Sequence, residues 1–235
     1  MRNKRILIIS DFHAPYNHID SIRFLKALND HVDPTRVISV GDEIDHHVIS
    51  FHDSDPDLPF SPSGELEKAI ERLSPLYDMF PRMDILESNH GSLVYRRGKH
   101  HGLPRTVFKS YREILEAPKG WKWHLDMDIK LPDGNSCYLT HGKSKNGRKL
   151  GESLSRCTIQ GHFHTELKIE YHANHDGLYW SMIVGCLIDR DSLAYAYARS
   201  NLSRQIIGCA AVIDSQPRLF PMVLNKKGRW CGKIY

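Results

Sequence analysis

Long apolar runs, clustered cysteines and low-complexity tracts are all missing from this sequence of 235 residues. The apolar run nearest the start, Ile6 to Ile9, sits between Arg5 and Asp11. That is far short of the ~20 residues of a membrane-spanning helix, so neither membrane insertion nor export is expected, and the expected location is cytoplasmic. The five cysteines (Cys137, Cys157, Cys186, Cys209 and Cys231) are odd in number, widely spaced and without a C-x-x-C pair. This excludes the patterns of a disulfide framework and of a zinc ribbon. No linker or internal repeat interrupts the chain, which is read as one domain over residues 1–235. With 40% hydrophobic and 26% charged residues, it is too apolar for a disordered protein.

Acidic residues are missing locally. Between Ser88 and Arg112 there is none, against Arg96, Arg97, Lys99, Arg105, Lys109 and Arg112. After Asp214 there is again none, against five basic residues, and a third basic stretch carries Lys143, Lys145, Arg148 and Lys149. A net charge of +4 so distributed fits either solvated faces or an anionic partner.

The apolar pattern alternates strands with helices through the first half. Arg5 to Ser10 reads as a strand buried on both faces, Asp20 to Val32 as a helix, Arg36 to Val40 as a second strand and Met83 to Glu87 as a third. Between the last two, a proline-bearing loop over 51–63 precedes a helix capped by Ser63, with a stripe of Leu66, Ile70 and Leu73, and ended by Pro75. A helix is expected around Thr106 to Glu116. Shorter strand-like runs follow at 121–131, 136–140, 157–160, 167–171, 178–184, 205–213 and 219–224. The class is α/β with two sheets.

Five polar clusters follow strand-like runs in order: Asp11-x-His13, Gly41-Asp42-x-x-Asp45, Asn89-His90, His141-Gly142 and Gly161-His162-x-His164. Singly they mean little, since 15 histidines make roughly one H-x-H pair by chance. Together, at the carboxyl ends of strands, they form a crevice of carboxylates, imidazoles and one amide that needs a cation to be satisfied. Mixed nitrogen and oxygen donors suit Mn, Fe, Zn or Ni better than Mg or Ca. Asp53-x-Asp55-x-Asp57 imitates a calcium loop but has Leu58 and Gly64 where that loop needs glycine and glutamate.

The order and spacing of the five clusters resemble the calcineurin-like metallophosphoesterase family, over Asp11 to His164. The wording of Asp11-Phe12-His13-Ala14-Pro15-Tyr16 and of Asn89-His90-Gly91-Ser92-Leu93-Val94-Tyr95-Arg96-Arg97 is also similar to small phage-encoded members. The resemblance implies a four-layer αββα sandwich, two mixed β-sheets flanked by helices, holding two divalent transition metals, with Mn the first choice. Asp11, His13, Asp42 and His164 would hold one; Asp42, Asn89, His141 and His162 the other, with Asp42 bridging. His90 would face the substrate as a general acid, oriented by Asp45. Ser88 and Gly91 depart from the pattern, which has glycine and an acid there; the first is conservative in size but could strain a turn that prefers glycine, and the second leaves Asp45 as the main partner for His90.

Two such cations ~3.5–4 Å apart would share a water and lower its pKa for in-line attack on phosphorus. The expected reaction is phosphodiester hydrolysis on nucleic acid or nucleotides, with Tyr95 and Tyr111 available to stack bases. The alternative is a phosphomonoesterase on a small metabolite, nucleotide or phosphoprotein, with Arg96, Arg97 or Arg148 clamping the phosphate. A non-catalytic metal-binding module is the third reading. His46, His47, His52, His100 and His101 lie near the motifs as further candidates for substrate contact, although solvated loop positions suit them better.

Overall fold

The structure is a computed structural model; it describes residues 4–51, 57, 59–192 and 203–235. In β1 (Arg5–Ile9) every residue from Ile6 onward is buried, because the strand is covered on both faces. Helix α1 (Ser21–Val32) and β2 (Arg36–Ser39) follow, and β2 pairs parallel to β1. After the long helix α2 (Pro62–Met79) come β3 (Arg82–Leu86), α3 (Leu93–His100), the single turn α4 (Tyr111–Ile114) and β4 (Gly120–His124). The chain then crosses to β5 (Met127–Lys130), β6 (Ser136–Thr140), α5 (Gly147–Leu154), β7 (Cys157–Gln160), β8 (Leu167–Asn174) and β9 (Gly177–Val184). It returns as β10 (Gly208–Ile213) and β11 (Gln216–Pro221).

The strands form two mixed sheets, in orders β11-β10-β1-β2-β3-β4 and β5-β6-β7-β9-β8. Alternation along β1 shows how they stack. Leu7 and Ile9 join Phe24, Leu25, Leu28, Ala69 and Leu73 under α1 and α2, whereas Ile6 and Ile8 join Leu139, Ile159, Met182 and Val184 of the other sheet. Helix α5 lies against β7, β8 and β9. This is the two-sheet, helix-flanked α/β arrangement expected. No helix among the described residues is long and apolar enough to cross a membrane.

Several expected boundaries move. Ser61, not Ser63, caps α2 by accepting from the Gly64 N–H, with Pro62 in the first helical turn. Pro75 lies inside α2 rather than at its end; the Glu71 carbonyl that Pro75 cannot serve accepts instead from Ser74 Oγ at 2.9 Å. The run at 121–131 splits into β4 and β5, one in each sheet. Around 106–116 the chain forms a 3-10 turn, Arg105–Val107, and the capped turn α4. The basic segment after Gly91 forms α3.

The C-terminal segment is tied to α1 through Asp20, which accepts from Arg229 Nε at 2.7 Å, Arg229 Nη2 at 2.6 Å and the Trp230 N–H at 3.0 Å. The Arg229 hydrogen bonds hold the Asp20 carboxyl down at about 2, against an ordinary 3.8. The folded value lies below the unfolded one, so the contribution is complete at neutral pH and is lost as pH falls through that window. Asp20→Asn is expected to cost ~1–2 kcal/mol at pH 7, with Arg229 half-exposed and partly screened. Urea denaturation should show that difference closing near pH 2.

Candidate metal centre

Every residue of the five clusters lies just past the carboxyl end of a strand: β1 delivers Asp11 and His13, β2 Asp42 and Asp45, β3 Asn89 and His90, β6 His141, and β7 His162 and His164. β1, β2 and β3 run parallel to one another in one sheet, and β6 runs parallel to β7 in the other, so their ends converge on one edge of the sandwich. The turns there are tight. His13, Asp42 and His162 all have left-handed backbones, with φ of 53°, 48° and 66°, a conformation that costs a non-glycine residue free energy and gathers at functional sites. Gly41 has φ of 105° and a Cβ on it would stand 2.7 Å from Ser88 Cβ; a Cβ on Gly161 would stand 2.3 Å from Asp11 Oδ1. Both glycines are required by close approach.

Two donor sets result. In the first, the His164 Nε2 lies 3.3 Å from His13 Nε2 and 3.0 Å from Asp11 Oδ2, and His13 Nε2 lies 3.4 Å from Asp42 Oδ2. One donor atom from each of Asp11, His13, Asp42 and His164 falls within 4.8 Å of the others. In the second, Asn89 Oδ1 lies 2.7 Å from His141 Nε2 and 3.1 Å from His162 Nδ1, and Asp42 Oδ2 is 3.2 Å from His141 Nε2. Asp42 belongs to both sets.

These atoms fit divalent cations better than they fit one another. Asp45 Oδ2 sits 2.8 Å from His13 Nδ1, and a carboxylate can only accept, so His13 donates through Nδ1 and turns the lone pair of Nε2 toward the cluster. Val40 O does the same to His141 through Nδ1 at 2.8 Å. The lone pairs of these two imidazoles then face Asp42 Oδ2, and that of His141 also faces Asn89 Oδ1, acceptor against acceptor at contact distance. Asp11 Oδ1 and Asp42 Oδ2 are buried and accept no hydrogen bond among the described residues. A cation at each set removes both deficits. Without one, a proton takes its place: burial pushes the His141 ring down, but Asp42 beside it outweighs burial and lifts the group to about 9. His13, wholly enclosed, is pushed below its usual range by burial. Asp42 is held well below the usual carboxylate range, the surrounding His141, His90 and His13 outweighing its burial.

His90 stands outside both sets, its ring edge-on to His13 at 4.8 Å between centroids. Its Nδ1 donates to the main-chain carbonyl of Asp45 at 2.6 Å, which directs Nε2 away from that contact. The Asp45 carboxylate is closer to His13, at 2.8 Å, than to His90, at 3.5 Å. Asp45 is therefore the partner that orients His90, mainly through its backbone carbonyl, while its carboxylate orients His13. Ser88 does not strain its turn: its φ is not positive, and its Oγ accepts from the Gly91 N–H at 3.1 Å.

The three arginines separate. Arg96 Nη1 donates to the Asn89 carbonyl at 3.1 Å, at the margin of the centre. Arg97 is spent on structure, donating to the carbonyls of Ile49 and Ser50 and covering the Phe51 ring. Arg148 pairs with Glu152 one turn along α5, at 2.7 Å, on an exposed face. His46 is buried with its pKa pushed down to about 4 by burial, and His47 packs edge-on to Tyr16; His100 and His101 are exposed, and His52 lies outside the described residues.

Two supporting residues escape a reading of the sequence. Glu43, buried and pushed up to about 7 by burial, accepts from Trp123 Nε1 at 2.8 Å. Gln160, at the end of β7, accepts from the Lys143 and Ser144 N–H groups and so fixes the chain just after His141. Glu43 fills an unspecified position of Gly41-Asp42-x-x-Asp45 and Gln160 lies outside every cluster, so only the fold gives them a partner.

No family model matches the chain, and no curated protein matches it. Similar solved structures are Vps29 from Chaetomium thermophilum (12% identity, TM-score 0.48, covering 100% of this chain and 95% of that one) and Yfce, a phosphoesterase from E. coli (12%, 0.45, 97% and 96%). The Pseudomonas putida nuclease MPE is similar at 11% identity and a TM-score of 0.34, over 91% of this chain and 85% of its own.

Proposed function

We propose that the chain is a metal-dependent phosphodiesterase acting on nucleic acid or nucleotides. The observation that carries the reading is the sharing of Asp42 Oδ2 between two separate donor sets, 3.4 Å from His13 Nε2 and 3.2 Å from His141 Nε2. When bound, two divalent cations supply a water of lowered pKa and positive charge for the phosphoryl oxygens. Asp45 and Val40 aim the two buried imidazoles, Asp42 joins the sets, and His90 holds a proton within reach of a departing alkoxide.

A diester is favoured over a monoester by where the cations are. A monoester dianion needs a clamp, and of the three arginines that could form one, Arg97 and Arg148 are engaged elsewhere. The centre is also open at His162, which is exposed, whereas small metabolites are normally enclosed. The test is a panel on protein stripped of metal and reloaded with Mn. Bis-p-nitrophenyl phosphate and single-stranded DNA should be hydrolysed with kcat/KM at least roughly tenfold above p-nitrophenyl phosphate, and the stripped chain should be inert. The reverse order would make the chain a phosphomonoesterase; two bound metals without turnover would make it a binding module.

A further inference from the structure

Beside the metal centre, beyond Glu87, lies a second cavity of about 350 Å³ between α3 and the segment that follows it, large enough for a nucleotide unit. Its wall carries Arg96, Lys99 and Arg105 against one carboxylate, Glu87, an excess of positive charge in a space that also contains two tyrosine rings. Glu87 lines the metal-centre cavity as well, so the two spaces adjoin.

The pocket is built rather than incidental. A Cβ on Gly98 would stand 2.1 Å from the Phe108 ring, so the missing side chain lets the 103–110 segment press onto α3. Leu103 donates to the Gly98 carbonyl at 2.9 Å, and Tyr95 donates through its hydroxyl to the Lys109 carbonyl at 2.7 Å. Tyr95 and Tyr111 meet edge-on at 4.8 Å. The Arg105 guanidinium lies 4.6 Å from the Tyr95 centroid and 5.4 Å from that of Tyr111, steadied by Glu87 at 2.8 Å. Tyr111 is buried and Arg105 lies over both tyrosine rings, so the stacking surface expected of the tyrosines is covered by the guanidinium. The planar guanidinium itself becomes the platform, a surface on which bases stack. Arg96, anchored on the main chain of Asn89, stands between this platform and the metal centre, and Lys99 is exposed one turn of α3 away.

We propose that this pocket binds the nucleotide adjoining the scissile phosphodiester in a single-stranded nucleic acid, its phosphate on Arg96 and Lys99 and its base on Arg105. The inference rests on the phosphodiesterase reading and gives it a substrate class: a strand, rather than an isolated diester or mononucleotide. Phosphate contacts alone would bind any polyanion; the stacked guanidinium adds a preference for bases.

The experiment compares the wild type with Lys99→Met and Arg105→Met, alone and together, since methionine keeps much of the packing; circular dichroism checks the fold. Binding of a fluorescein-labelled oligothymidylate to the metal-free chain, followed by anisotropy, should weaken roughly 10- to 100-fold in the double variant, with a shallower salt dependence. With Mn loaded, KM for the oligonucleotide should rise by a similar factor while kcat/KM for bis-p-nitrophenyl phosphate stays near wild type. Equal oligonucleotide binding by wild type and double variant overturns the proposal. So does equal affinity of the wild type for a phosphopeptide of matched charge, which would show a phosphate site indifferent to bases. Oligonucleotide binding that depends on Lys99 and Arg105, in a metal-loaded chain that cleaves no diester, would uphold the pocket and refute the phosphodiesterase reading.

Discussion

Asp42→Asn is expected to lower bound Mn from two ions per chain to at most one and to reduce kcat/KM on bis-p-nitrophenyl phosphate by at least ~10²–10³. No other single ligand enters both donor sets, so no other single change weakens both at once. Asp42 Oδ1 accepts from the His90 N–H at 3.1 Å, which the amide oxygen of Asn can preserve. The other oxygen, however, becomes an NH₂ group pointing at the lone pairs of His13 and His141, where it donates hydrogen bonds and occupies the space the cations need. The substitution thus satisfies the metal-free cluster internally, and the folded chain should persist while metal affinity collapses. Elemental analysis after saturation with Mn and gel filtration reads the stoichiometry; two tightly held ions in the variant would remove Asp42 from its shared position.

That Asp42 could be singled out from sequence at all follows from where the chemistry sits. Ile6 to Ile9 is continuously apolar because β1 is covered on both faces, so the first residue to break the run, after Ser10, is the first that can reach the open edge, and it is Asp11. The same logic places Asp42, Asn89, His141 and His162 after their strands. What the pattern hides is what depends on distant partners. Helix α3 buries only Leu93 and Gly98, so it shows no apolar stripe, and its glycine argues against a helix until Phe108 is seen filling the space above it. Glu65 belongs to no motif, yet it is buried and accepts from the His47 and Val48 N–H groups at 2.7 and 3.0 Å. Arg97 reads as one of three equivalent phosphate ligands until the carbonyls of Ile49 and Ser50 claim it. A charge run states how many cations there are; only tertiary structure divides them between packing and solvent.

His90→Ala separates metal binding from proton transfer. His90 contributes no donor to either set, and the bond that fixes it runs from its own Nδ1 to the Asp45 carbonyl, so its removal should leave two Mn per chain. Its Nε2 is then the group placed to protonate a leaving oxygen, a step worth ~10²–10⁴ in rate when that oxygen departs as an alkoxide. On a dinucleotide, whose leaving group is a sugar hydroxyl, kcat should fall by that factor. On bis-p-nitrophenyl phosphate it should fall far less, because nitrophenolate leaves without a proton. His90→Gln sharpens the comparison: the amide can hydrogen-bond phosphate oxygens but cannot transfer a proton at neutral pH, so kcat on the dinucleotide should stay as low as in the alanine variant. Equal losses of kcat on both leaving groups would assign His90 to holding the phosphate, and a loss of metal would move it into the ligand shell beside Asn89.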